Sequence, residues 1–396
     1  MKMKNQFGMF IHWGIYSLTG WQEQYRYRLG IDRYEYKKLM YEFNPAGYDP
    51  DEWVKEAKDA GMKYICFTAK HMDGFCMWDT KHTDFNIMNT PYGKDALKLL
   101  AAACERGGID LSIYYSLPDL YHPNAYNPLS SHQAPPLETD KPDSVLYREY
   151  VRNQITELMT NYGKIYTLFW DIPPKIHDPS FNELVRKLQP GILINDRGYD
   201  GGDFSTPERD VPEGEAFAKL TEACQSLGEQ SWGYRENEDY YTVKFLTQSM
   251  DKIMTMGGSY LLNAGPMPNG KFPEKALKNL RLIGSWYNRV KESFTDVIPD
   301  HSFFDKGKFN VTRHGGDFYL HFVKDPEACG MNLPPVRETP ESVILLNNGK
   351  PVRFGVEPMP WDFNGKTMDE PYLHLFDLPA DEFANETLVV KITFKR

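Results

Sequence analysis

Seven short apolar runs recur along the first three quarters of the chain, and each is followed by side chains that can take part in chemistry. The runs, with the residues that follow them, are Phe7–Ile11 (His12, Trp13), Tyr64–Thr68 (Lys70, His71, Asp73), Leu111–Tyr114 (Tyr115, Ser116), Ile165–Trp170 (Asp171), Gly191–Ile194 (Asn195, Asp196, Arg197), Ser231–Gly233 (Tyr234) and Tyr260–Leu262 (Asn263). Segments with helical periodicity separate most of them, at 31–43, 50–61, 94–106, 144–162, 180–189, 240–256 and 272–292.

This alternation of strands and helices predicts an α/β fold with a parallel sheet, namely a (β/α)8-like, TIM-type barrel. The active site of such a barrel lies at the carboxyl ends of its strands and draws side chains from several of them. An eighth strand is not visible in the pattern, so an irregular barrel is expected. The seven chemistry-bearing strand ends therefore indicate where an active site is to be sought.

From about residue 298 the pattern changes to short strand-like runs without intervening helices. These runs are Val311–Thr312, Phe318–Val323, Val343–Leu346, Val352–Phe354 and Leu388–Phe394. Apolar and polar residues alternate in the last of them, which predicts one buried face, and Asn348-Gly349 is a hairpin signal. We therefore predict a barrel domain at 1–297 and a small antiparallel β domain at 298–396.

Composition and charge narrow the possible partners and the compartment. The 396 residues suffice for a barrel and an appendage, and 45 Lys and Arg against 55 Asp and Glu give a net charge of −10, which argues against nucleic acid. No apolar stretch is long enough to span a bilayer, and no secretory signal is visible, so no membrane partner is expected. The five cysteines share no close spacing, which favours reduced thiols and a cytoplasmic location.

The segment 117–143 fits neither a strand nor a helix. It contains six prolines separated by polar residues, and a loop of this length in a compact domain is usually functional or disordered. Since it follows the third strand, it would overhang the mouth of the barrel. We expect it to form a wall of the substrate cleft.

Two carboxylates are the candidates for catalysis. Asp171 leaves a buried strand, where an unpartnered charge would cost several kcal/mol, so it either caps the next turn or serves in catalysis. Its position at the barrel mouth, followed by Pro173-Pro174, favours catalysis. Glycoside or proton-transfer chemistry needs a second acid, and Glu208, in the loop after the fifth strand, is the best candidate. The competing glutamates nearby are Glu213, Glu215, Glu222 and Glu229.

His12 and His71 end the first two strands. Metal-dependent barrel hydrolases usually bring a His-x-His pair on strand one, whereas here the sequence is His12-Trp13-Gly14, so we predict no metal site. Neutral histidines beside tryptophans suit the binding of sugar hydroxyls and ring faces. A satisfied core histidine is the other interpretation for each, and their shared position at strand ends favours the site.

Several segments, in order along the whole predicted barrel, together resemble glycoside hydrolase family 29, the α-L-fucosidase family. These segments are Phe7–Gly14, Phe43–Pro45 with Trp53, Thr68–Phe75, Trp78–Lys81, Tyr114–Ser116, Trp170–Asp171, Asn195–Arg197, Ser231–Tyr234 and Leu261–Pro266. Members of this family often carry a C-terminal β-sandwich, which the resemblance implies for residues 298–396. It also implies a cofactor-free enzyme that acts on fucosylated oligosaccharides or glycans.

The resemblance further implies a role for each candidate residue. Asp171 falls at the nucleophile and Glu208 at the acid/base of a retaining mechanism, in which the two carboxyl groups lie about 5–5.5 Å apart. Arg197 would steady a carboxylate near the reacting centre. Residues implied to hold the fucose ring and its hydroxyls are His12, His71 and Tyr115. We further expect Trp170 and Trp232 to form an apolar wall for the C5 methyl group.

Two departures from the family pattern leave the sugar open. Met72 stands where the family usually has the second histidine of His-His-Asp-Gly-Phe, and the segment 21–25 lacks the common Glu-Trp-Tyr order. Glu23 or Gln24 would then have to supply the missing hydrogen bond. The alternatives are a glycosidase of the same fold acting on another 6-deoxy or galacto-configured sugar, and a catalytically weak glycan-binding relative. The retention of Asp171, Glu208 and Arg197 favours the fucosidase.

Overall fold

A parallel sheet surrounded by helices forms the larger part of the molecule. The computed structural model describes residues 3–209, 214, 216–300, 309–335, 338–358 and 371–395. Seven parallel strands pair in the order β5-β4-β3-β2-β1-β7-β6. They are β1 Phe7–Ile11, β2 Tyr64–Lys70, β3 Asp110–Ser116, β4 Ile165–Asp171, β5 Leu193–Ile194, β6 Glu222–Ser226 and β7 Ser259–Ala264. Nearly all their residues are buried on both faces, as expected for strands covered by crossover helices.

An irregular segment lies between the two edge strands of this sheet. Phe204 forms a parallel bridge with Asn195 beside β5, and Ser205 and Glu208 form parallel bridges with Thr221 and Cys224 on the β6 side. The segment 204–208 therefore fills the eighth position and closes the barrel. Proline has no backbone N–H to donate to a ladder, so Pro207 helps to explain why no regular strand is visible here in the sequence or in the structure.

One of the seven predicted strands is wrong. Ser231–Gly233 is a bend, and the strand next to β7 is Glu222–Ser226, paired from Glu222 with Ser259 to Ser226 with Asn263. Polar residues supply three of its five positions, although all five are buried. Because hydrophobic patterning cannot identify a buried strand of this composition, the sequence indicates the apolar run just after it instead.

Eight α-helices lie within the described part of the barrel. They are α1 Tyr25–Arg28, α2 Arg33–Lys37, α3 Pro50–Asp59, α4 Ala96–Gly107, α5 Ser144–Asn161, α6 Ser180–Leu188, α7 Val243–Thr255 and α8 Glu274–Val290. Side-chain oxygens of Asp49, Asp95, Asp143 and Thr242 accept backbone N–H bonds at the starts of α3, α4, α5 and α7, which satisfies donors left over at helix starts. The helix predicted at 31–43 is instead α2 followed by the 3₁₀ turn Lys38–Tyr41.

The C-terminal part consists of two antiparallel sheets that share one hydrophobic core. Its strands are β8 Ile298–Pro299, β9 Phe309–His314, β10 Asp317–Phe322, β11 Met331–Pro335, β12 Ser342–Leu345, β13 Lys350–Pro351, β14 Arg353–Glu357, β15 Tyr372–Phe376 and β16 Val389–Thr393. The pairing of Leu345 with Lys350 confirms the hairpin predicted at Asn348-Gly349. Strands β11 and β15, which form one sheet with β14, were not predicted.

Buried polar contacts join this β-sandwich to the barrel. The Nδ1 atom of His321 in β10 lies 2.7 Å from Oδ1 of Asp251 in α7, and both side chains are buried. The indole Nε1 of Trp286 donates to the backbone oxygen of Thr387 at 2.8 Å. The fold class predicted from the sequence is confirmed, whereas the boundary at 297/298 stays a prediction. None of the described helices is both long and apolar enough to cross a membrane.

A carboxyl group lies inside the barrel, within β6. Glu222 is buried, and its Oε2 accepts a hydrogen bond of 2.5 Å from the Tyr64 hydroxyl. Burial disfavours the charged form and raises the pKa of Glu222 to about 7. The folded chain therefore retains this proton at pH values where the unfolded chain has released it.

We expect Glu222→Gln to remove this pH dependence. Between about pH 4.5 and pH 7 the unfolded chain has released the proton of Glu222 while the folded chain still holds it. The free energy of unfolding therefore falls over this range, by about 3 kcal/mol in total. Denaturant unfolding at pH 5 and pH 8 should show a smaller loss between the two for Glu222→Gln than for the wild type. Glu229→Gln, at an exposed position, is the control, and an unchanged loss in Glu222→Gln would contradict the expectation.

Candidate active site

A cavity of about 320 Å³ lies at the carboxyl ends of the barrel strands. It combines two carboxylates and an arginine with histidines and aromatic rings. Its lining residues are Phe10, His12, Gln24, His71, Tyr114, Ser131, His132, Phe169, Asp171, Ile172, Pro173, Arg197, Glu208 and Trp232. Strands β1 to β5 thus contribute residues at or near their carboxyl ends, as expected for a barrel active site.

One guanidinium group joins the two candidate catalytic carboxylates. Nη1 of Arg197 donates to Oδ1 of Asp171 at 3.1 Å and also bonds Oε1 of Glu208. Nη2 donates to the backbone oxygen of Thr206 at 2.5 Å. The adjacent carboxylates raise the pKa of Arg197 in spite of its burial. This arginine therefore stays charged and fixes both carboxylates in the cavity.

The shared nitrogen limits the separation of the two carboxylates. Two oxygens bonded to one nitrogen lie at most about 6 Å apart, twice the length of a hydrogen bond. Retaining glycosidases need about 5–5.5 Å between their carboxyl groups, whereas inverting enzymes need about 6.5–9.5 Å. The positions of Asp171 and Glu208 thus fit the retaining arrangement.

Tyr114 provides the second hydrogen bond to Asp171. Its hydroxyl donates to Oδ2 at 2.6 Å, and its ring lines the cavity. The neighbouring Tyr115, predicted from the family resemblance to hold the sugar, points to the opposite face of β3 and donates to Oε1 of Gln154 in α5 at 2.7 Å. Successive side chains alternate across a strand, so the structure places Tyr114 in the site and Tyr115 behind it.

The same alternation separates two neighbouring residues of β4. Phe169 lines the cavity, and the guanidinium of Arg197 lies 5.7 Å from its ring centroid. Trp170, predicted as apolar wall, is fully buried on the other face, where its indole Nε1 donates to Oδ1 of Asn182 at 3.1 Å. Trp232, the other predicted wall, does line the cavity and stacks on His12 at 5.4 Å between ring centroids.

Both predicted histidines lie in the cavity. Nδ1 of His12 is 2.7 Å from Oδ1 of Asn263, whose amide nitrogen donates to the backbone oxygen of Trp232 at 2.7 Å. That orientation of the amide requires His12 to donate from Nδ1, which leaves Nε2 as an acceptor. The ring of His71 stacks on Tyr114 at 5.7 Å. Burial lowers the pKa of both histidines, so both are neutral at neutral pH.

Glu23, proposed as a substitute for the missing family histidine, lies behind the cavity wall. Its Oε2 accepts from Ser231 Oγ at 3.0 Å and from the backbone N–H groups of Trp232 and Gly233 at 3.1 and 2.9 Å. Glu23 therefore holds the loop that presents Trp232. Gln24 lines the cavity instead. Met72 is buried outside the lining, with an exposed fraction of 1%.

The long loop after β3 reaches the cavity, as the sequence predicted. Ser131 and His132, near its middle, both belong to the lining. The loop is held in place by Asn127, whose amide nitrogen donates to the backbone oxygen of Pro174 at 2.7 Å. Segment 117–143 therefore forms one wall of the site.

The other glutamates considered as the second catalytic acid differ from Glu208 in where they lie. Glu222 is enclosed in the barrel and bonds Tyr64, whereas Glu229 is exposed and lies outside the cavity lining. Glu213 and Glu215 lie outside the described residues. Among the residues that are described, no group of three or more His, Cys, Asp or Glu could hold a metal ion, and the absence of a cofactor stays a prediction.

Two arginine-linked carboxylates among aromatic rings at the mouth of a closed α/β barrel fit the requirements of a glycoside hydrolase. A family model described as α-L-fucosidase matches residues 3–292. The chain therefore belongs to the α-L-fucosidase family, and the family and enzyme class predicted from the sequence are confirmed.

Individual relatives agree with the family model. The chain is similar to the human tissue α-L-fucosidase, with 23% identity covering 89% of this chain and 82% of the relative. The human plasma α-L-fucosidase is 26% identical and covers 95% and 86%. Among solved structures, α-L-fucosidase isoenzyme 1 from Paenibacillus thiaminolyticus superposes with a TM-score of 0.85 at 29% identity and covers 99% of this chain and 97% of its own.

The adjacent tyrosines of β3 give a matched pair of variants. Tyr114→Phe removes a donor to a charged oxygen, worth about 1.5–3 kcal/mol, so kcat/KM for 4-nitrophenyl α-L-fucoside should fall about 10- to 100-fold. Tyr115→Phe loses only the bond to Gln154 and should retain most of this activity. A larger loss in Tyr115→Phe than in Tyr114→Phe would contradict the positions described here.

Proposed function

We propose that this protein is a retaining α-L-fucosidase that releases terminal α-L-fucosyl residues from fucosylated oligosaccharides or glycans by double displacement. The observation that carries the proposal is the bridge from Arg197 to both Asp171 and Glu208 in one cavity. This bridge supports a separation of the two carboxyl groups that suits a mechanism with a covalent intermediate. A solved relative that is 24% identical, from Bacteroides thetaiotaomicron, is itself described as a trapped covalent intermediate of a GH29 fucosidase.

In the first step Asp171 attacks the anomeric carbon of the fucoside. A bond forms between its carboxylate oxygen and that carbon while the bond to the leaving-group oxygen breaks, and Glu208 gives its proton to that oxygen. In the second step Glu208 takes a proton from water, the water oxygen bonds the anomeric carbon, and the bond to Asp171 breaks. The side chain of Glu208 is 42% exposed and that of Asp171 is 16% exposed, which suits a proton donor on the leaving-group side.

Neutral side chains in the cavity suit an uncharged sugar. Nε2 of His12 accepts from a hydroxyl, and Nδ1 of His71 is buried with no hydrogen-bond partner among the described residues. The rings of Trp232 and Phe169 offer apolar surface for a 6-deoxy methyl group. An alternative sugar of 6-deoxy or galacto configuration is tested by comparing aryl glycosides, because a higher rate than on the α-L-fucoside would replace fucose in this proposal.

We also propose a cytoplasmic or otherwise reducing location. Four of the five cysteine side chains are buried free thiols, at Cys66, Cys76, Cys104 and Cys224, and burial raises their pKa values. Thiols of this kind are poor nucleophiles and behave as small apolar side chains. Fractionation of the source cells with an antibody against the protein would test the location, and recovery outside the cytoplasm would contradict it.

Replacement of the nucleophile should abolish turnover. We expect Asp171→Asn to lower the release of 4-nitrophenol from 4-nitrophenyl α-L-fucoside by roughly 10³-fold or more, because no carboxylate remains to form the intermediate. Asp196→Asn is the matched control, since Asp196 pairs with Lys219 at 2.8 Å outside the cavity. Intact mass after incubation with 2-fluoro-fucosyl fluoride should show one added sugar on the wild type and none on Asp171→Asn.

Replacement of the acid/base should depend on the leaving group. Glu208→Gln should slow hydrolysis of a fucosylated trisaccharide by about 10²- to 10⁴-fold, and slow the nitrophenyl fucoside less, because nitrophenol leaves with little proton assistance. Added azide should restore turnover of the nitrophenyl substrate and yield fucosyl azide. Glu229→Gln is the control, and equal losses on both substrates in Glu208→Gln would argue against this role.

A further inference from the structure

A second cavity lies beside the active site at the same end of the barrel. It has a volume of about 340 Å³, within the range of about 300–1,000 Å³ common for ligand pockets. One side comes from the chain after β1, including Arg26 and Tyr27, and the other from the loop after β3, including His122, Gln133 and Leu137. The proposed function assigns no role to this cavity.

A single layer of residues separates the two cavities. Gln24 lines the active site and Arg26 lines the second cavity, while across from them His132 lines the active site and Gln133 the second cavity. The rings of Tyr27 and His132 complete this wall, with 5.2 Å between their centroids. A sugar chain that emerges from the active site on this side therefore meets the second cavity next.

Arg26 in this cavity has donors that no protein atom satisfies. The residue is only 7% exposed, and its Nε and Nη1 atoms are buried without a hydrogen-bond partner among the described residues. Its guanidinium lies 5.9 Å from the ring centroid of Tyr36, which does not replace those bonds. Both nitrogens are enclosed by protein atoms, so the part of the guanidinium that borders the cavity is the part that can donate to a ligand with oxygen acceptors.

The other charged groups of the cavity already have partners, although Nε of Arg33 is also buried without one among the described residues. Arg33 donates two bonds of 2.7 Å to Asp140. Asp119 pairs with Lys70 at 3.2 Å, and Asp32 accepts backbone N–H bonds at the start of α2. Arg26, Arg33 and Lys70 together balance the charges of Asp32, Asp119 and Asp140, so the cavity has no net charge to attract an ion and suits uncharged oxygen acceptors.

We propose that this cavity binds an uncharged sugar of the leaving group, with the guanidinium of Arg26 donating to its hydroxyl or amide carbonyl oxygens. The rings of Tyr27 and Tyr126 offer apolar faces on which a sugar ring packs. The assignment as a leaving-group site rests on the proposed fucosidase function. The binding of an uncharged sugar in the cavity does not, and it is therefore measured separately.

Binding is measured by titration calorimetry with lactose, N-acetyllactosamine and a sulfated lactose. We expect the wild type to bind at least one uncharged disaccharide, and Arg26→Met to bind it at least tenfold more weakly. Ala134→Phe, which adds bulk at a half-buried position of the cavity lining, should weaken binding independently of Arg26. Arg106→Met, at an exposed arginine paired with Asp51, should bind as the wild type does.

Kinetics then tests the link to the active site. For a fucosylated derivative of the bound disaccharide, Arg26→Met should raise KM, and its loss in kcat/KM should exceed its loss on 4-nitrophenyl α-L-fucoside at least tenfold. Equal losses on the two substrates would overturn the leaving-group assignment while leaving the fucosidase function intact. Conversely, disaccharide binding without turnover of any fucoside would refute the proposed function and keep the sugar cavity.

Three results would overturn the cavity itself. They are the absence of disaccharide binding by the wild type at millimolar concentrations, equal affinity in the wild type, Arg26→Met and Ala134→Phe, and tenfold tighter binding of the sulfated lactose than of lactose. The last result would assign the cavity to an anion. Unfolding curves of both variants test whether they are folded. If Arg26→Met does not fold, the binding measured with Ala134→Phe decides the outcome.

Discussion

The site depends on a single charged group placed between two like charges. Asp171 and Glu208 come from different parts of the barrel wall, and without a cation between them their proximity would be unfavourable. Arg197 bonds both carboxylates, and its other nitrogen is anchored to the backbone at Thr206. This anchor lies two residues before Glu208, on the irregular segment that closes the barrel. The segment that closes the barrel therefore also positions the two carboxylates relative to each other.

Much of the fold follows from strand and helix periodicity, and the exceptions have physical reasons. Six of the seven predicted strands exist because apolar residues fill both faces of a covered parallel sheet. Hydrophobic patterning does not identify strand β6, because Glu222, Gln225 and Ser226 are buried polar residues that hydrogen-bond Tyr64, Arg209 and Ser231. The closing segment 204–208 pairs through isolated bridges around a proline, and no local pattern identifies such a strand.

The sequence predicts most residues of the site but not the face of the strand to which each side chain points. Strand ends indicated Asp171, His12, His71 and Arg197, because the topology of a barrel brings all strand ends together. The sequence does not show which of two adjacent aromatic residues faces inward, since Tyr114 and Tyr115, or Phe169 and Trp170, are equally apolar. Only the three-dimensional register distinguishes them. Glu23 was misplaced for a related reason, because its carboxylate is occupied by backbone donors more than 200 residues away.

The position of the proposed proton donor has an evolutionary consequence. Asp171, the proposed nucleophile, ends a regular strand packed between two neighbours, where a change in length or register would disturb the whole sheet. Glu208 lies on the irregular segment 204–208, which pairs with its neighbours only through isolated bridges. During evolution the residues around the leaving group can therefore change, while the strand ends that would bind the transferred sugar stay the same. One ancestral scaffold can in this way give rise to enzymes with many different linkage preferences.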